Sequence, residues 1–250
     1  MNKTLKFVLI TVGSVIVILI LIAVGFGLKM KSEVKKMHVI ETQEVVSNIY
    51  SVKDGFVNMF LIKGSDNYIA IDAGADVKTI RKELITLKID TAKIEAVLLT
   101  HGDGDHTAAL SVFKNATIYL AREEEQMING KTAKMLFFHN KLSRKDYTLL
   151  DDGQKLTIGK TQILCILTPG HTPGSMSYLI DNKYLFVGDA FGLKDGKVDK
   201  ANSFFSKDIK LAIKSFDKIK NLPDAEYIFT AHNGFTNDYK NAVMTDLKEK

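Results

Sequence analysis

Within six positions of one another stand four side chains able to hold a metal ion, in Thr100-His101-Gly102-Asp103-Gly104-Asp105-His106. Two imidazoles and two carboxylates so close together invite a cation, because a positive ion relieves the repulsion between the acids. Gly102 and Gly104 carry no side chains that would obstruct a tight loop. A solvated acidic turn also uses Asp-Gly pairs, but it has no need of a histidine on either side. The apolar run from Ile94 to Leu99 comes just before this stretch. It reads as a buried strand that delivers the loop to the end of a sheet, where α/β proteins place their chemistry.

The same residue types recur in matching surroundings. Ile163 to Leu167 is followed by Thr168-Pro169-Gly170-His171-Thr172-Pro173-Gly174, Tyr184 to Val187 by Gly188-Asp189, and Tyr227 to Phe229 by Thr230-Ala231-His232. Each is a strand-like run ending in a turn that carries one metal-capable side chain. Four of the chain's six histidines fall in such turns, a placement that separate structural roles would not produce together.

The pattern resembles the metallo-β-lactamase-fold hydrolase superfamily, whose signature is His-x-His-x-Asp-His followed by a distant His, Asp and His. His101, Asp105, His106, His171, Asp189 and His232 match it position by position. Asp103 departs from it, standing where the signature has its second histidine. Tyr68 to Gly74, a strand ending in Asp72 and Gly74, is similar to the family's first motif. The resemblance spans residues 45 to about 240 and implies an α/β fold of the α+β type, a four-layer αββα sandwich with the site at one edge between the sheets. It further implies that His101, Asp103 and His171 face one ion, that Asp105, His106 and His232 face another, and that Asp189 bridges them.

Such a pair of ions can hold a hydroxide between them and lower the pKa of bound water towards about 7. The implied activity is hydrolysis of an ester, thioester, lactone, amide or phosphoester in a small-molecule substrate. Asp105 and Asp189 would take part in catalysis. Thr100 and Asp72 would orient the metal-binding imidazoles from behind. Two divalent ions are expected, zinc first, with iron or manganese brought in by the harder Asp103 carboxylate. That carboxylate also resembles the flavodiiron variation, so a di-iron oxidoreductase is an alternative, although the flavin domain of those proteins has no counterpart here. A degenerate, non-catalytic metal-binding domain is a further alternative, opposed by six intact signature residues.

The elements that must carry this site follow from periodicity. Residues 45–72 read as three strands separated by turns at Lys53-Asp54-Gly55 and Gly64 to Asn67. Val77, Ile80, Leu84 and Leu87 mark one face of a helix over 75–87. A short helix is expected over 107–114, a strand at Ala116 to Leu120, strands through 148–192 and an amphipathic helix over 205–220. A short polar helix begins near Asp238. Residues 122–148 break the alternation. Arg122 to Glu125 open a helix-like segment, and a basic stretch follows with Phe137, Phe138 and His139. The phenylalanine pair suits either an apolar wall beside the metals or the core, and His139 reads as a surface residue. Cys165 lies inside an apolar strand and reads as a small buried hydrophobe. A single cysteine excludes an internal disulfide framework.

Residues 7–28 form an uncharged run whose only polar side chains are Thr11 and Ser14. Its length spans a bilayer as a helix. It is too long for a signal-peptide core, no small-residue cleavage site follows it, and no cysteine follows it for lipoprotein processing. The expected organisation is a tail at 1–6, a transmembrane anchor at 7–28 that partners the lipid bilayer, a stalk at 29–44 and a catalytic domain at 45–250. The lysines are more numerous after the span than before it, yet a short charged N-terminus ordinarily stays inside. The reading adopted is a single-pass cell-membrane protein with an extracytoplasmic domain. The net charge of +5 resides wholly in the lysines flanking the span. The remainder is balanced, and no basic face calls for nucleic acid.

Overall fold

The computed structural model describes residues 2–135 and 138–247. The chain divides into two compact units, Met1–Met37 and His38–Lys250. In the first, a single helix, α1 (Lys3–Val34), opens with the Asn2 side chain accepting a hydrogen bond from the Thr4 amide. It is long and apolar enough to cross a membrane. It continues past Leu28 into the segment read as a stalk.

In the second unit, seven strands form one sheet in chain order: β1 (Gln43–Val46), β2 (Ile49–Asp54), β3 (Val57–Lys63), β4 (Tyr68–Ile71), β5 (Ile94–Leu98), β6 (Thr117–Ala121) and β7 (Tyr147–Leu150). From β4 onward the neighbours run parallel. The chain then builds β8 (Lys155–Ile158), β9 (Thr161–Leu167), β10 (Met176–Ile180) and β11 (Tyr184–Phe186), followed by a separate hairpin of β12 (Phe191–Lys194) and β13 (Lys197–Lys200). Finally β14 (Tyr227–Phe229) and β15 (Phe235–Thr236) complete a second sheet in the order β15-β14-β11-β10-β9-β8.

Alternation along these strands sends successive side chains to opposite faces, which creates the layers. In β3, Phe60 and Ile62 join Tyr178 and Ile180 of β10 in the core between the sheets, with Phe186 and Phe229. Met59 and Leu61 face outward, against Ile80 and Leu84 of α2 (Val77–Thr86). Leu179 of β10 likewise faces outward, with Phe216 and Ile219 of α5 (Ile209–Ile219) and Tyr239 of α6 (Tyr239–Val243). The order is therefore helix, sheet, sheet, helix. Phe60 packs against Phe186 and Phe229 at centroid distances of 5.4 and 5.3 Å. Truncating it to alanine is expected to cost about 3–5 kcal/mol.

Several boundaries differ from the sequence reading. The stretch expected to hold three strands holds four, because Asn48 adopts a left-handed conformation (φ 67°) and turns the chain between β1 and β2. The helix expected at 107–114 begins earlier, as the single turn α3 (Gly104–Thr107), followed by a 3₁₀ turn at Leu110–Val112. After Arg122–Glu124, α4 (Glu125–Ile128) is brief. Helix α5 (Ile209–Ile219), capped by Asp208, buries Ala212, Ser215, Phe216 and Ile219 but leaves Leu211 exposed. Helix α6 (Tyr239–Val243) stands where the polar C-terminal helix was expected. Phe137 lies outside the described residues, whereas Phe138 is 64% exposed and His139 is exposed. Cys165 is buried, and burial pushes its thiol up to about 12.

Candidate metal centre

Every metal-capable residue picked from the sequence lies just beyond a strand's C-terminal end, at one edge of the sandwich. Asp72 follows β4, His101 to His106 follow β5, His171 follows β9, Asp189 follows β11 and His232 follows β14. Hydrogen bonds tie the two sheets together there. The Met176 amide donates to the Thr100 carbonyl at 2.8 Å, and the Tyr178 hydroxyl donates to the Leu99 carbonyl at 2.7 Å. Gly188 approaches Thr100 so closely that an added Cβ would lie 2.5 Å from its hydroxyl oxygen, and its φ is +53°. Only glycine tolerates both conditions.

Three overlapping groups of side chains converge, His101 with Asp103 and His171, His101 with His106 and Asp189, and Asp105 with His106 and His232. Within each group the ligand atoms lie within 4.8 Å of one another. Asp189 stands between the histidines. Its Oδ1 is 3.3 Å from His106 Nε2, and its Oδ2 is 3.2 Å from His232 Nε2 and 3.6 Å from His171 Nε2. Asp105 Oδ2 lies 3.4 Å from His232 Nε2 and 3.6 Å from His106 Nε2.

Outer partners fix how the imidazoles face. His106 Nδ1 donates to Asp72 Oδ2 at 2.8 Å, and His232 Nδ1 donates to the Phe56 carbonyl at 2.6 Å. His101 Nδ1 meets the Thr100 hydroxyl at 3.0 Å, which in turn donates to Asp72 Oδ2 at 2.9 Å. His171 Nδ1 meets the Ser206 hydroxyl at 3.3 Å. With each Nδ1 engaged outward, all four Nε2 atoms point at the common centre, an arrangement typical of imidazoles that bind metal. Asp72 itself sits in the left-handed region (φ 62°), a costly conformation for a non-glycine residue that aims its carboxylate at both Thr100 and His106.

The electrostatics match. Burial works against the charged form of Asp189, yet His232, His106 and His171 hold its carboxyl well below the usual range. Asp103 is held low in the same way, by His101, His171 and Lys134. Burial also opposes charge on His106, but Asp105, Asp72 and Asp189 push its pKa well above the ordinary value. His232 is raised as well, burial notwithstanding, chiefly by Asp189. Burial, with Lys134 next, pulls His171 down to about 4. Buried His101 Nε2, His106 Nε2 and Asp189 Oδ1 make no hydrogen bond. Such orphaned groups are costly unless something pairs with them, and divalent cations fit them in charge and donor type.

Two structural contributors escape a reading of the sequence. The Glu124 carboxylate is fully buried and accepts from the Gly102 amide at 2.8 Å, the Thr172 hydroxyl at 2.7 Å and the Gly174 amide at 3.0 Å. It thereby joins the loop of His101 to the turn of His171. Phe56, at the tip of the β2–β3 hairpin, stacks on His232 at 5.9 Å and is 39% exposed. It supplies an apolar wall beside His232.

A two-sheet sandwich with a histidine and carboxylate cluster at one edge defines the class, and comparison defines the family. Residues 52–232 match the model of the metallo-β-lactamase superfamily. The chain belongs to that superfamily. It is 30% identical over 196 residues to a hydroxyacylglutathione hydrolase of Bartonella tribocorum, covering 78% of this chain and 69% of that protein. It is 28% identical over 176 residues to Glyoxylase B2 of Dictyostelium discoideum, covering 67% of this chain and 59% of that one. It is 31% identical over 128 residues to the probable polyketide biosynthesis zinc-dependent hydrolase PksB of Bacillus subtilis, covering half of each. The chain thus spans between half and about two thirds of these relatives' lengths. Among solved structures, BLEG-1 B3 metallo-β-lactamase superposes with a TM-score of 0.63 at 22% identity, covering 77% of this chain and 95% of that one. A metallo-β-lactamase family protein of Thermus thermophilus gives 0.60 at 18%, covering 80% and 78%.

Proposed function

We propose that this chain is a metal-dependent hydrolase, with residues 45–250 as its catalytic domain. The observation that carries the proposal is the convergence of four outward-anchored imidazoles on one centre, with buried, orphaned Nε2 and carboxylate atoms. In this reading His101, Asp103 and His171 hold one ion, and Asp105, His106 and His232 hold another. Asp189 serves both, since its two oxygens face histidines of both groups. Zinc suits an imidazole-rich set, and the Asp103 carboxylate extends the range to iron or manganese. Bound ions would supply Lewis acidity and an activated water.

The chain's own residues do the remaining work. Asp72 and Thr100 keep His106 and His101 presenting Nε2. Asp105, the most exposed carboxylate of the cluster at 25%, would orient an attacking water or pass its proton on to the leaving group. Phe56 covers the His232 side of the site. The cleaved bond is an ester, thioester, lactone, amide or phosphoester in a small molecule. A similar protein carries the name hydroxyacylglutathione hydrolase, so thioesters head the trial panel. Residues 7–28 anchor the domain to the membrane, with the catalytic unit extracytoplasmic. The length and apolarity of α1 support the anchor.

The test is metal quantification on the purified chain, followed by turnover of thioester, ester, lactone, phosphodiester and β-lactam substrates. Stoichiometric divalent metal with hydrolysis of at least one class is the expected result. A chain that binds no divalent metal refutes the proposal.

A further inference from the structure

Asp103 stands where the superfamily signature has a histidine, and both of its oxygens are taken up by one segment of chain. Asn140 Nδ2 donates to Oδ1 at 2.7 Å, and Lys134 Nζ lies 2.5 Å from Oδ2. The same Nζ is 3.0 Å from His171 Nε2. The Lys134 side chain is only 13% exposed. Its backbone is fastened in place, since the Lys134 amide donates to the Phe138 carbonyl at 2.7 Å and Lys207 Nζ donates to the Ala133 carbonyl at 2.7 Å. The ammonium therefore rests on two of the three residues that converge as His101, Asp103 and His171.

An ion and this ammonium cannot use the same two atoms together. His171 Nε2 lies 3.0 Å from both Lys134 Nζ and Asp103 Oδ2, and its one lone pair can serve either Lys134 or a metal. Asp103 Oδ2 beside a divalent ion would also hold Lys134 against a like charge. The companion group, Asp105, His106 and His232, has no lysine or arginine in such contact among the described residues. An aspartate at 103 fits this arrangement, because an ionised carboxylate attracts an ammonium more strongly than a neutral imidazole does.

We propose that Lys134 is a resident cation at the His101, Asp103 and His171 position, so that the two metal positions load unequally. The position of Asp105, His106 and His232 fills first. The other fills second and less tightly, because the incoming ion must displace Lys134 from Asp103 and His171. This rests on the metal-binding reading above and adds to it a determinant of occupancy.

The experiment is a zinc titration of the full chain in competition with a chromogenic chelator, reading bound ions per chain against free zinc. Wild type is expected to fill in two separated steps. Lys134→Met should leave the first step in place and move the second to about tenfold lower free zinc or further, the scale of removing one charge-assisted contact. Lys134→Gln, which also removes the charge and differs in shape, should do the same and guards against misfolding of either variant, which circular dichroism reports. Lys134→Arg should keep the steps apart. A second step unmoved in both neutral variants overturns the role of Lys134 while leaving the metal centre intact, as does a wild type that fills both positions in one step. A wild type that binds no zinc overturns the metal reading itself, and this proposal with it.

Discussion

Glu124 is the most informative residue to perturb, because it joins the His101 loop to the His171 turn. Glu124→Ala removes one acceptor from three donors. The Thr172 hydroxyl keeps a partner, since Ser175 Oγ lies 2.9 Å away. The amides of Gly102 and Gly174 lose theirs. Each buried amide left unpaired costs about 1–3 kcal/mol, which makes about 2–6 kcal/mol for the two. Burial pushes the Glu124 pKa up, so its charged form bears a desolvation cost that the substitution relieves. The expected loss is therefore in the lower part of that range, about 2–4 kcal/mol. Glu124→Gln keeps one acceptor and should lose less. The assay is equilibrium urea denaturation of the metal-free chain, with zinc content measured in parallel. A Glu124→Ala variant within about 0.5 kcal/mol of wild type, with full zinc content, would show that this carboxylate does not hold the site together.

Three further outcomes are expected. Asp103→Ala should leave about one ion where two were bound, with turnover strongly reduced, while Asp103→His should restore two and favour zinc; unchanged metal content and activity in Asp103→Ala would make Asp103 a loop residue only. In the metal-free chain, Asp103 and Asp189, with carboxyls held low, contribute stability above about pH 4 that is lost as acid protonates them. His106 and His232, raised, contribute stability that is full below about pH 6.5 and lost as pH climbs through their raised values, whereas His171, lowered to about 4, acts oppositely and favours folding as pH rises towards about 6.5. Melts over a pH series should therefore show the metal-free chain weakening on the alkaline side, and a melting temperature still rising there counts against these pairings. Finally, the chain should stay in the membrane pellet after alkaline carbonate extraction, and recovery of a soluble protein beginning after Leu28 would replace the anchor with a cleaved leader.

The site was legible where residue type, spacing and position after an apolar run agreed. His101, Asp105, His106, His171, Asp189 and His232 satisfied all three, and the structure brings them together. Asp72 was legible because an aspartate and a glycine close an apolar strand. Glu124 was not, because Arg122 to Glu125 reads equally as the start of a helix, and its partners are backbone amides at Gly102 and Gly174. One clue was available, in that those glutamates directly follow β6, at the same sheet edge as the other site turns. Lys134 was hidden among other basic residues in a stretch without periodicity. The extra turn at Asn48 escaped because Ser47-Asn48, although turn-forming residues, interrupt the apolar pattern for only two positions. Phe56 carries no signal of its own in the sequence, since the contact that places it on His232 spans most of the chain.

The most direct measurement of the central claim follows hydrolysis through removal and return of metal, in wild type and in Asp189→Ala. Asp189 is the carboxylate shared between both histidine groups. The wild-type chain, treated with chelator, should lose turnover of its substrate and regain it when zinc is restored. Asp189→Ala should retain its circular dichroism spectrum, lose most bound zinc and regain no turnover. Hydrolysis that persists in chelator, or an Asp189→Ala variant as active as wild type, would contradict a metal centre built on these residues.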